Sequence, residues 1–435
     1  CPISDTEIER LLRLIRQATL NQLTDKTIEP ANLPFYVALA LHCFTNEYVF
    51  LESLEETTEI EQLENKINSL LANNKPVPSL WVALLASYRP LHIFSWSDQL
   101  SQSNSTDSIQ KILTQQIDEV REEQQLRPEI KALSSINNDT SQAVREQYEE
   151  NPYPRWVNPG LSPKSRTIRT VLQELKIDLD RTGQHFPSHP EILIAGCGTG
   201  QHSLGTASRF SNSSVLAVDL SLSSLSYAIR KTQELGISNI DYMHADILEL
   251  HKLDRQFDLI ESAGVLHHMA EPLAGWKVLV DLLRPRGLMK IGLYSEIARQ
   301  HIVETRTFIA KNNYGSSQEA IRQCRVEIME MPTKSDSKIP KVLNTSDFYS
   351  LSTCRDLLFH VQEHRFTLPE IETALKELGL MFIGFELQDH HRVTTRFKEL
   401  NPRKESLTSL PLWHQFELDH PNTFAGMYQF WVQKI

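Results

Sequence analysis

The sequence predicts an α/β protein built on a seven-stranded, doubly wound, Rossmann-like sheet, with an all-helical N-terminal domain and a helical lid insertion. Two observations support this fold class. After residue 190, apolar runs of strand length alternate with amphipathic helices, the pattern of a parallel sheet covered on both faces. Before residue 100, apolar residues recur at helical spacing, and no alternation typical of a strand stands out.

Seven segments have the length and apolar character of strands. Helical stripes lie between them, for example Leu222, Leu225 and Ile229. The predicted strands are Glu191–Ala195, Val215–Asp219, Ile240–His244, Phe257–Glu261, Leu288–Leu293, Met381–Leu387 and Ala425–Gln433.

The composition is that of an ordinary globular protein, since 40% of the 435 residues are hydrophobic and 23% are charged. This length exceeds one usual core, so two or three folded units are expected. The net charge is −11 and no long basic run occurs, so no nucleic-acid partner is expected. The longest apolar runs are too short to span a bilayer, so no membrane partner is expected either.

The five cysteines are widely spaced, and no two of them form a C-x-x-C pair. A thiolate zinc site is therefore not expected, and no bound metal is predicted. The odd number of cysteines indicates a reducing compartment, which predicts a cytoplasmic location. A lipid-anchored Cys1 is the alternative, but no other feature points to export.

Residues 191–201 join a buried strand to a glycine-rich turn and then to a helix. The turn reads Gly196-x-Gly198-x-Gly200. Glycines allow a tight turn and let a ligand approach the backbone. The start of the helix offers free N–H groups to a carboxylate or a phosphate. On its own, this motif could serve NAD or S-adenosylmethionine.

Three features bear on the choice between these two cofactors. The glycine spacing is G-x-G-x-G rather than the dinucleotide pattern G-x-G-x-x-G. Asp219 ends the second strand, where an acid accepts ribose hydroxyls of either cofactor. Asp246 ends the third strand, where a second acid could meet an adenine amino group. A dinucleotide fold does not need that second acid, so S-adenosylmethionine is favoured.

This ordered series resembles the class I S-adenosylmethionine-dependent methyltransferases over about residues 150–300, and the last strand pair extends the resemblance to the C-terminus. The resemblance implies a set of cofactor contacts. Cys197, between two of the glycines, is expected to be a small filler rather than a nucleophile. The implied contacts are Gly196, Cys197, Gly198, Thr199, Gly200 and Gln201 at the methionine part, Asp219 at the ribose with Leu220 against the adenine, Asp246 and Ile247 flanking the adenine, and Ser262, Ala263 and Val265 facing the sulfonium.

The stretch 148–156 resembles an Asn-Pro-Tyr-Pro-Arg-Trp segment of methyltransferases that are often joined to tetratricopeptide repeats. The resemblance implies that this stretch helps to close the site, and residues 422–431 resemble the same group. Tyr153 or Trp156 could attract a sulfonium cation, and Arg155 could pair with a carboxylate. Tyr153 is also a catalytic candidate, and a packed linker is the alternative. No tetratricopeptide consensus is visible.

His267 and His268 follow the fourth strand, at the expected edge of the cofactor. They resemble the Leu-His-His segment of small-molecule C- and O-methyltransferases. A histidine can accept a proton at neutral pH, which a hydroxyl or protonated amine acceptor requires. One of two adjacent side chains should face away, so one of them is expected to be catalytic. A polar helix start is the alternative.

The segment 360–364 matches the zinc-protease pattern H-x-x-E-H. On a helix, His360 and His364 would share one face. No third zinc ligand is evident, so a substrate-lid role for His360, Glu363 or His364 is favoured over a metal site. A structural hydrogen-bond network is the further alternative.

These features predict methyl transfer from S-adenosylmethionine to an oxygen, nitrogen or carbon nucleophile of a peptide, a protein or a small molecule. A non-catalytic S-adenosylmethionine-binding sensor and an NAD-dependent oxidoreductase are the alternatives. The oligomeric state is left open. Five segments are predicted: a helical N-terminal domain (1–100), a polar helical linker (101–150), a cofactor-binding core (151–294), a helical lid insertion (295–366) and the last helix with the C-terminal strand pair (367–435).

Overall fold

The computed structural model describes residues 2–23, 31–102, 107–150, 152–154, 156–177, 186–332, 337–387 and 389–435. The chain forms two compact units. The first unit comprises Cys1–Leu126, Pro154–Val157 and His301–His360, and the second comprises Arg127–Tyr153, Asn158–Gln300 and Val361–Ile435.

Helices occur in both units, and every strand of the main sheet lies in the second. The strands are β1 (Glu191–Ala195), β2 (Ser214–Asp219), β3 (Ile240–His244), β4 (Phe257–Ala263), β5 (Leu283–Tyr294), β6 (Leu380–Phe385) and β7 (Met427–Lys434). The α-helices are α1 (Thr6–Asn21), α2 (Leu33–Thr45), α3 (Leu54–Ala72), α4 (Ser79–Ala86), α5 (Ser97–Gln102), α6 (Asp107–Leu113), α7 (Glu119–Leu126), α8 (Asp139–Glu150), α9 (Ile168–Glu174), α10 (Gln201–Arg209), α11 (Leu222–Glu234), α12 (Pro272–Leu282), α13 (Gln300–Lys311), α14 (Gln318–Glu330), α15 (Leu351–Phe359), α16 (Leu368–Glu377), α17 (His390–Leu400) and α18 (Leu410–Asp419).

The sheet of the second unit has seven strands in the order β3-β2-β1-β4-β5-β7-β6. Strands β1 to β5 pair in parallel, whereas β7 runs antiparallel between β5 and β6. From β1 the chain adds β2 and β3 on one side of the sheet. It then crosses back to place β4 on the other side of β1. This reversal is the topological switch point, where open α/β sheets bind their ligands. The predicted fold class is therefore confirmed.

Strand β5 starts five residues earlier than the predicted Leu288. The Arg-Pro-Arg-Gly composition of residues 284–287 is typical of a helix end, but these residues lie in an extended, irregular part of the strand. The register with β4 shifts there, so that Phe257 pairs with Leu283 and Leu259 already pairs with Leu288. A local pattern of Arg, Pro and Gly cannot distinguish a helix end from such an irregularity.

Both faces of the sheet are buried, which explains why β1 is apolar after its first residue, from Ile192 to Ala195. Leu193 and Ala195 lie in a core with Trp276 on one face, and Ile192 and Ile194 lie in a core with Trp431 on the other. Successive side chains of a strand point to opposite faces, so a strand covered on both sides needs apolar residues at every position.

The first unit is helical over its described residues, as predicted for the N-terminal domain. Helices α2 and α4 share its main core, and part of the predicted 101–150 linker belongs to the same core. Ile109, Ile112 and Ile117 are at most 2% exposed there. The linker is therefore helical, as predicted, but this part of it is integral to the fold because its apolar residues are buried.

The predicted insertion also shares a core with the N-terminal helices. Phe44 of α2 packs in one cluster with Ile321 and Ile328 of α14 and Leu357 of α15. Arg325 of α14 joins this contact through an ion pair with Glu9 of α1, 2.8 Å between Nη2 and Oε2. Two segments separated by a whole sheet domain in the sequence thus form one compact unit.

Over the described part of the chain, no helix combines the length and the apolar character that crossing a membrane requires.

Candidate cofactor and active site

The glycine-rich loop leaves β1 at the switch point and leads into α10. Gly196, Gly198 and Gly200 have φ angles of 78°, 52° and 87°. A Cβ atom at Gly196 would lie 2.4 Å from a methyl of Val265, and one at Gly200 would lie 2.7 Å from Cβ of Ala228. Both positions therefore require glycine for a positive φ angle and for close packing.

Asp219 lies at the end of β2, and its carboxylate is directed at the glycine-rich loop. Its Oδ2 accepts a hydrogen bond from the Gly198 N–H at 2.7 Å, and its Oδ1 accepts one from the Ser221 N–H at 2.9 Å. Burial raises the pKa of Asp219, although the backbone donors and the nearby His244 oppose that increase. Each carboxylate oxygen can still accept a further hydrogen bond.

Asp246 follows β3 and is 3% exposed. Its Oδ1 accepts a hydrogen bond from the Leu248 N–H at 2.9 Å and so caps the 3-10 helix Ile247–Lys252. Its neighbour Ala245 donates to the Asp219 carbonyl at 3.0 Å, which joins the ends of β2 and β3. Asp246 therefore has a structural role as a cap, whatever it contributes to a ligand. Ile247 is buried in the adjoining core.

Leu220 is the residue predicted to contact the adenine, and its backbone carbonyl takes part in a hydrogen bond. The Leu220 carbonyl lies 2.9 Å from Nε2 of His244, a strand residue that sequence analysis did not single out. A carbonyl only accepts, so this nitrogen of His244 carries the proton. His244 thus fixes the turn that follows Asp219.

The residues at the end of β4 complete the predicted cofactor site at the carboxyl edge of the sheet. Ser262 is fully buried, and its hydroxyl has no hydrogen-bond partner among the described residues. Ala263 is half-buried, and Val265 covers Gly196 from the side of β4. The loop residues, Asp219, Asp246 and the 262–265 segment therefore all lie at the carboxyl ends of four adjacent parallel strands, as the sequence predicted.

Cys197 is 4% exposed and its Sγ lies 3.6 Å from the Gly198 carbonyl oxygen. Burial, together with the negative charge of Asp219, raises the pKa of the Cys197 thiol. A thiolate is thus disfavoured, which supports a packing role. Of the other loop positions, Thr199 is fully buried and Gln201 begins α10.

His267 and His268 lie in the 3-10 helix Leu266–His268 after β4. Both side chains are buried, at 0% and 5% exposed, so neither of them faces solvent. Side chains of successive residues in a 3-10 helix diverge by about 120°, so both are buried only when structure covers two sides. One side is Tyr294 of β5, whose ring stacks on that of His267 at 3.7 Å.

The other side is the segment 362–366. The Gln362 carbonyl lies 2.7 Å from Nδ1 of His268, and the His364 N–H donates to the His267 carbonyl at 2.7 Å. Because a carbonyl only accepts, Nδ1 of His268 carries a proton. The acceptor nitrogen of a neutral His268 ring is therefore Nε2.

Glu363 has a structural partner for each carboxylate oxygen. Its Oε2 lies 3.1 Å from Nη2 of Arg299, and its Oε1 lies 3.4 Å from Nη1 of Arg365. The Arg299 guanidinium covers the second face of Tyr294 at 3.5 Å from the ring centre. His267, Tyr294 and Arg299 thus form a three-layer stack, and Glu363 neutralises the cation at its end.

The H-x-x-E-H pattern does not form the predicted helical face. His360 caps the C-terminus of α15, and the residues that follow it are not helical. His360 belongs to the first unit and lies 4.0 Å from Asp356, whereas Glu363 and His364 belong to the second. Spacing alone implied a continuing helix, but α15 ends at Phe359.

The 148–156 stretch is also divided between the two compact units, because the first unit takes over at Pro154. The Tyr153 carbonyl accepts a hydrogen bond from the Thr199 N–H at 3.2 Å, which joins this stretch to the glycine-rich loop. Trp156 is 2% exposed and belongs to the first unit. Arg155 lies outside the described residues.

Sequence analysis missed Glu149, which caps α11. Its Oε1 accepts from the N–H groups of Leu222 and Ser223, and its Oε2 accepts from the Ser223 hydroxyl at 2.7 Å. Because α11 follows Asp219 directly, Glu149 helps to fix the wall of the site. A glutamate more than seventy residues before its helix gives no recognisable signal in the sequence.

Sequence analysis also missed Glu261, a charged residue in the middle of the buried sheet. It is 1% exposed, and its Oε2 lies 2.7 Å from Nε2 of His202 and accepts from the Thr206 hydroxyl at 2.6 Å. Burial alone would raise the pKa of Glu261, but His202, Lys290 and Thr206 outweigh burial and lower it to about 2. The carboxylate is therefore ionised at neutral pH.

Comparison with known proteins is consistent with this arrangement. Residues 192–287 match the family model described as "Methyltransferase domain". An uncharacterized protein of Synechococcus is 26% identical over 238 residues, which are 53% of this chain and 56% of that protein. The tRNA 5-carboxymethoxyuridine methyltransferase of Escherichia coli K12 is 30% identical over 121 residues, 27% of this chain and 46% of that protein.

Among solved structures, PKMT2 from Rickettsia typhi in complex with AdoHcy is 15% identical, with a TM-score of 0.47. The alignment covers 65% of this chain and 54% of that chain. The chain thus spans about half the length of the relatives it matches.

The sheet order, the glycine-rich loop at the switch point and the two acids define a nucleotide-cofactor-binding domain of the doubly wound class. More particularly, residues 192–287 of this domain match a methyltransferase family model, which agrees with the predicted class I type and with S-adenosylmethionine as the cofactor. The predicted resemblance to S-adenosylmethionine-dependent methyltransferases and the predicted cofactor class are confirmed, whereas the association with tetratricopeptide repeats stays a prediction.

Proposed function

We propose that this chain transfers a methyl group from S-adenosylmethionine, held across the ends of β1 to β4, to an oxygen, nitrogen or carbon nucleophile. The observation that carries the proposal is the contact between the Asp219 carboxylate and the Gly198 N–H. It brings a ribose acceptor and the glycine-rich loop together at the switch point. The remaining lone pairs of Asp219 fit ribose hydroxyls, and the second oxygen of Asp246 suits an adenine amino group.

The bound cofactor supplies an electrophilic methyl group, and the residues of the chain align it and exclude water. Gly196 to Gln201 hold the amino-acid end, and Ser262 to Val265 line the wall beside the sulfonium. Tyr153 closes the loop side through its contact with Thr199. One of the two histidines, His267 or His268, supplies the proton acceptor that a hydroxyl or protonated amine needs.

The acceptor in this proposal is a peptide, a protein or a small molecule. The net charge of −11 disfavours a nucleic acid, although one relative is a methyltransferase of tRNA by name. The helices outside the core, including the 301–360 segment, favour a protein or peptide. The described cysteines are all free, which supports a reducing compartment such as the cytoplasm.

The first test is ligand-dependent stabilisation of the full chain. Thermal unfolding is measured with S-adenosylmethionine, S-adenosylhomocysteine, NAD and Zn²⁺ in separate samples. We expect the two sulfur-containing ligands to raise the melting temperature, because only a ligand that binds the folded state does so. Stabilisation by NAD or Zn²⁺ alone would overturn the proposal.

The second test uses matched variants and calorimetric titration of S-adenosylhomocysteine. Asp219→Asn is expected to lose most of the affinity, because an amide accepts ribose hydroxyls poorly at this charge-assisted position. Asp241→Asn is the control, since Asp241 is an exposed aspartate on the neighbouring strand β3. Equal affinity in the two variants contradicts the cofactor site. Tight binding without turnover on peptide, amine or phenol acceptors would identify a sensor instead.

A further inference from the structure

Helix α10 contacts the sheet through a polar stripe as well as through apolar residues. His202, Thr206 and Arg209 are four and three residues apart, which places them on one face of the helix. All three meet acidic side chains of the second unit. His202 and Thr206 contact Glu261, and Nη1 of Arg209 lies 4.0 Å from Oε1 of Glu386.

Below this stripe, charges of alternating sign lie in a row across the sheet. Glu261 of β4 is in register with Lys290 of β5, and Lys290 is in register with Trp431 of β7. Nζ of Lys290 lies 3.0 Å from Oε2 of Glu386, which also accepts from the indole N–H of Trp431 at 3.0 Å. Such a row is costly to bury unless each charge is paired, so it fixes one geometry.

The two ends of α10 differ in their distance from the site. His202 is the second residue after Gly200, so its pairing with Glu261 fixes the first helical turn after the glycine-rich loop. Glu261 is in register with Ile194, two residues before Gly196. Arg209 is the last residue of the helix, roughly 10 Å further along the axis.

His202 is not sealed in the core, because its side chain is 31% exposed while that of Glu261 is 1% exposed. The carboxylate can only accept, so Nε2 of His202 is the donor and Nδ1 is the nitrogen left for other partners. The second oxygen of Glu261 has no hydrogen-bond partner among the described residues. Glu261 therefore depends on His202 and Thr206 for its hydrogen bonds.

We propose that Glu261 and His202 form a positioning pair that sets the glycine-rich loop, so that cofactor affinity depends on their contact. The inference rests on the proposed function, because it assigns these two residues to the S-adenosylmethionine site without placing either in contact with the cofactor. The stripe on α10 thus has a functional end at His202 and a structural end at Arg209.

The test compares His202→Asn with Arg209→Ala in the full chain. Asparagine is too short to reach Glu261, so the loop loses its anchor. Arg209→Ala removes contacts at the far end of α10, with Glu386 and with the Phe210 ring. Affinity for S-adenosylhomocysteine is measured by calorimetry at a temperature well below the melting point of every variant. We expect about 10-fold weaker binding for His202→Asn and no change for Arg209→Ala.

A purely structural role for the pair predicts a lower melting temperature in His202→Asn with unchanged affinity, and that result would overturn the inference. Glu261→Gln adds a second arm, because its amide oxygen still accepts from His202 and should retain part of the affinity. If Glu261→Gln does not fold, the affinities of the His202→Asn and Arg209→Ala variants still test the inference. Failure of the wild-type chain to bind the ligand would instead refute the proposed function, so the two failures are distinguishable.

Discussion

Asp219 shows how one side chain combines a structural and a cofactor-directed role. It accepts from Gly198 and Ser221, so the glycine-rich loop and the turn after β2 hold each other in place. Burial raises its pKa, which means that the environment favours the protonated acid more than water does. Ribose hydroxyls would favour the ionised form, because a carboxylate is the better acceptor.

The resulting prediction is a pH-dependent affinity. As the pH falls from neutrality through the raised pKa of Asp219, the carboxylate takes up a proton and S-adenosylhomocysteine should bind more weakly. Calorimetric titrations at several pH values measure this. The dependence should vanish in Asp219→Asn. Glu261 cannot cause it, because its pKa of about 2 lies far below this range. A dependence that persists in the variant would belong to another group and would contradict the prediction.

His267 and His268 provide the second prediction at the residue scale. If one of them accepts the acceptor's proton, its replacement by Asn should reduce kcat by roughly 10²- to 10⁴-fold without weakening S-adenosylhomocysteine binding. His268 has Nδ1 directed at the Gln362 carbonyl, and His267 is stacked on Tyr294. Single-turnover kinetics of both variants measure the effect. Unchanged turnover in both would show that the acceptor needs no base from this pair.

At the scale of elements, the segment 362–366 acts as a strap across the end of β5. Its Phe366 donates to the Tyr294 carbonyl at 2.9 Å, and Glu363 bridges Arg299 and Arg365. Glu363 is 1% exposed on its side chain, so its charge depends on these partners. The geometry therefore supports a structural network for Glu363 over the substrate-lid role that the sequence favoured.

Glu363→Gln tests that assignment. Loss of one charge from a buried ion-pair cluster should lower the free energy of unfolding of the second unit by about 3 kcal/mol. Urea denaturation of the full chain, followed by tryptophan fluorescence, measures the change. Glu372→Gln is the control, because Glu372 pairs with Lys376 on the surface of α16 and should cost less than about 1 kcal/mol. A Glu363 variant of normal stability but with a raised KM for the acceptor would restore the lid role.

At the scale of the whole chain, distant segments combine to form one compact unit. Arg325 donates to both oxygens of Glu9 and to the carbonyls of Val49 and Phe348. The side chains of Arg325 and Glu9 are 1% and 3% exposed. The first unit is therefore closed by residues from both sides of the sheet domain in the sequence, and the 301–360 segment depends on the N-terminal helices.

Glu9→Gln should make that dependence measurable. An Arg325 guanidinium left with a neutral partner should cost roughly 3 kcal/mol in stability. Hydrogen exchange should then speed up together in α1 and α14, because both lose the same buried contact. Glu7→Gln is the matched control, since Glu7 pairs with Arg10 on the exposed face of α1. Faster exchange confined to α1 would show that α14 is stable without it.

Much of the sheet domain could be predicted because its signals are local. Apolar runs give the strands, and the cofactor edge follows from glycines and acids placed where strands end. The strands β1 and β3 have the predicted bounds, and Gly196, Asp219 and Asp246 lie at one edge as expected.

Residue spacing did not predict the local structure correctly where one sequence pattern is compatible with two structures. The H-x-x-E-H pattern implied a helical face, but α15 ends at Phe359, the residue before the pattern begins. Both His267 and His268 are buried because Tyr294 and Gln362 arrive from distant parts of the sequence. Local spacing contains no information about such covering segments.

The sequence by itself determined the doubly wound sheet, the glycine-rich loop and the cofactor class, because periodicity and strand-end chemistry act over a few residues. Only the tertiary structure decided the partners of buried charges, which lie far apart along the chain. Glu149 caps a helix more than seventy residues away, Glu261 of β4 pairs with His202 of α10, and Glu9 of α1 pairs with Arg325 of α14. A charge can be buried only where an opposite charge or a hydrogen-bond partner meets it in three dimensions.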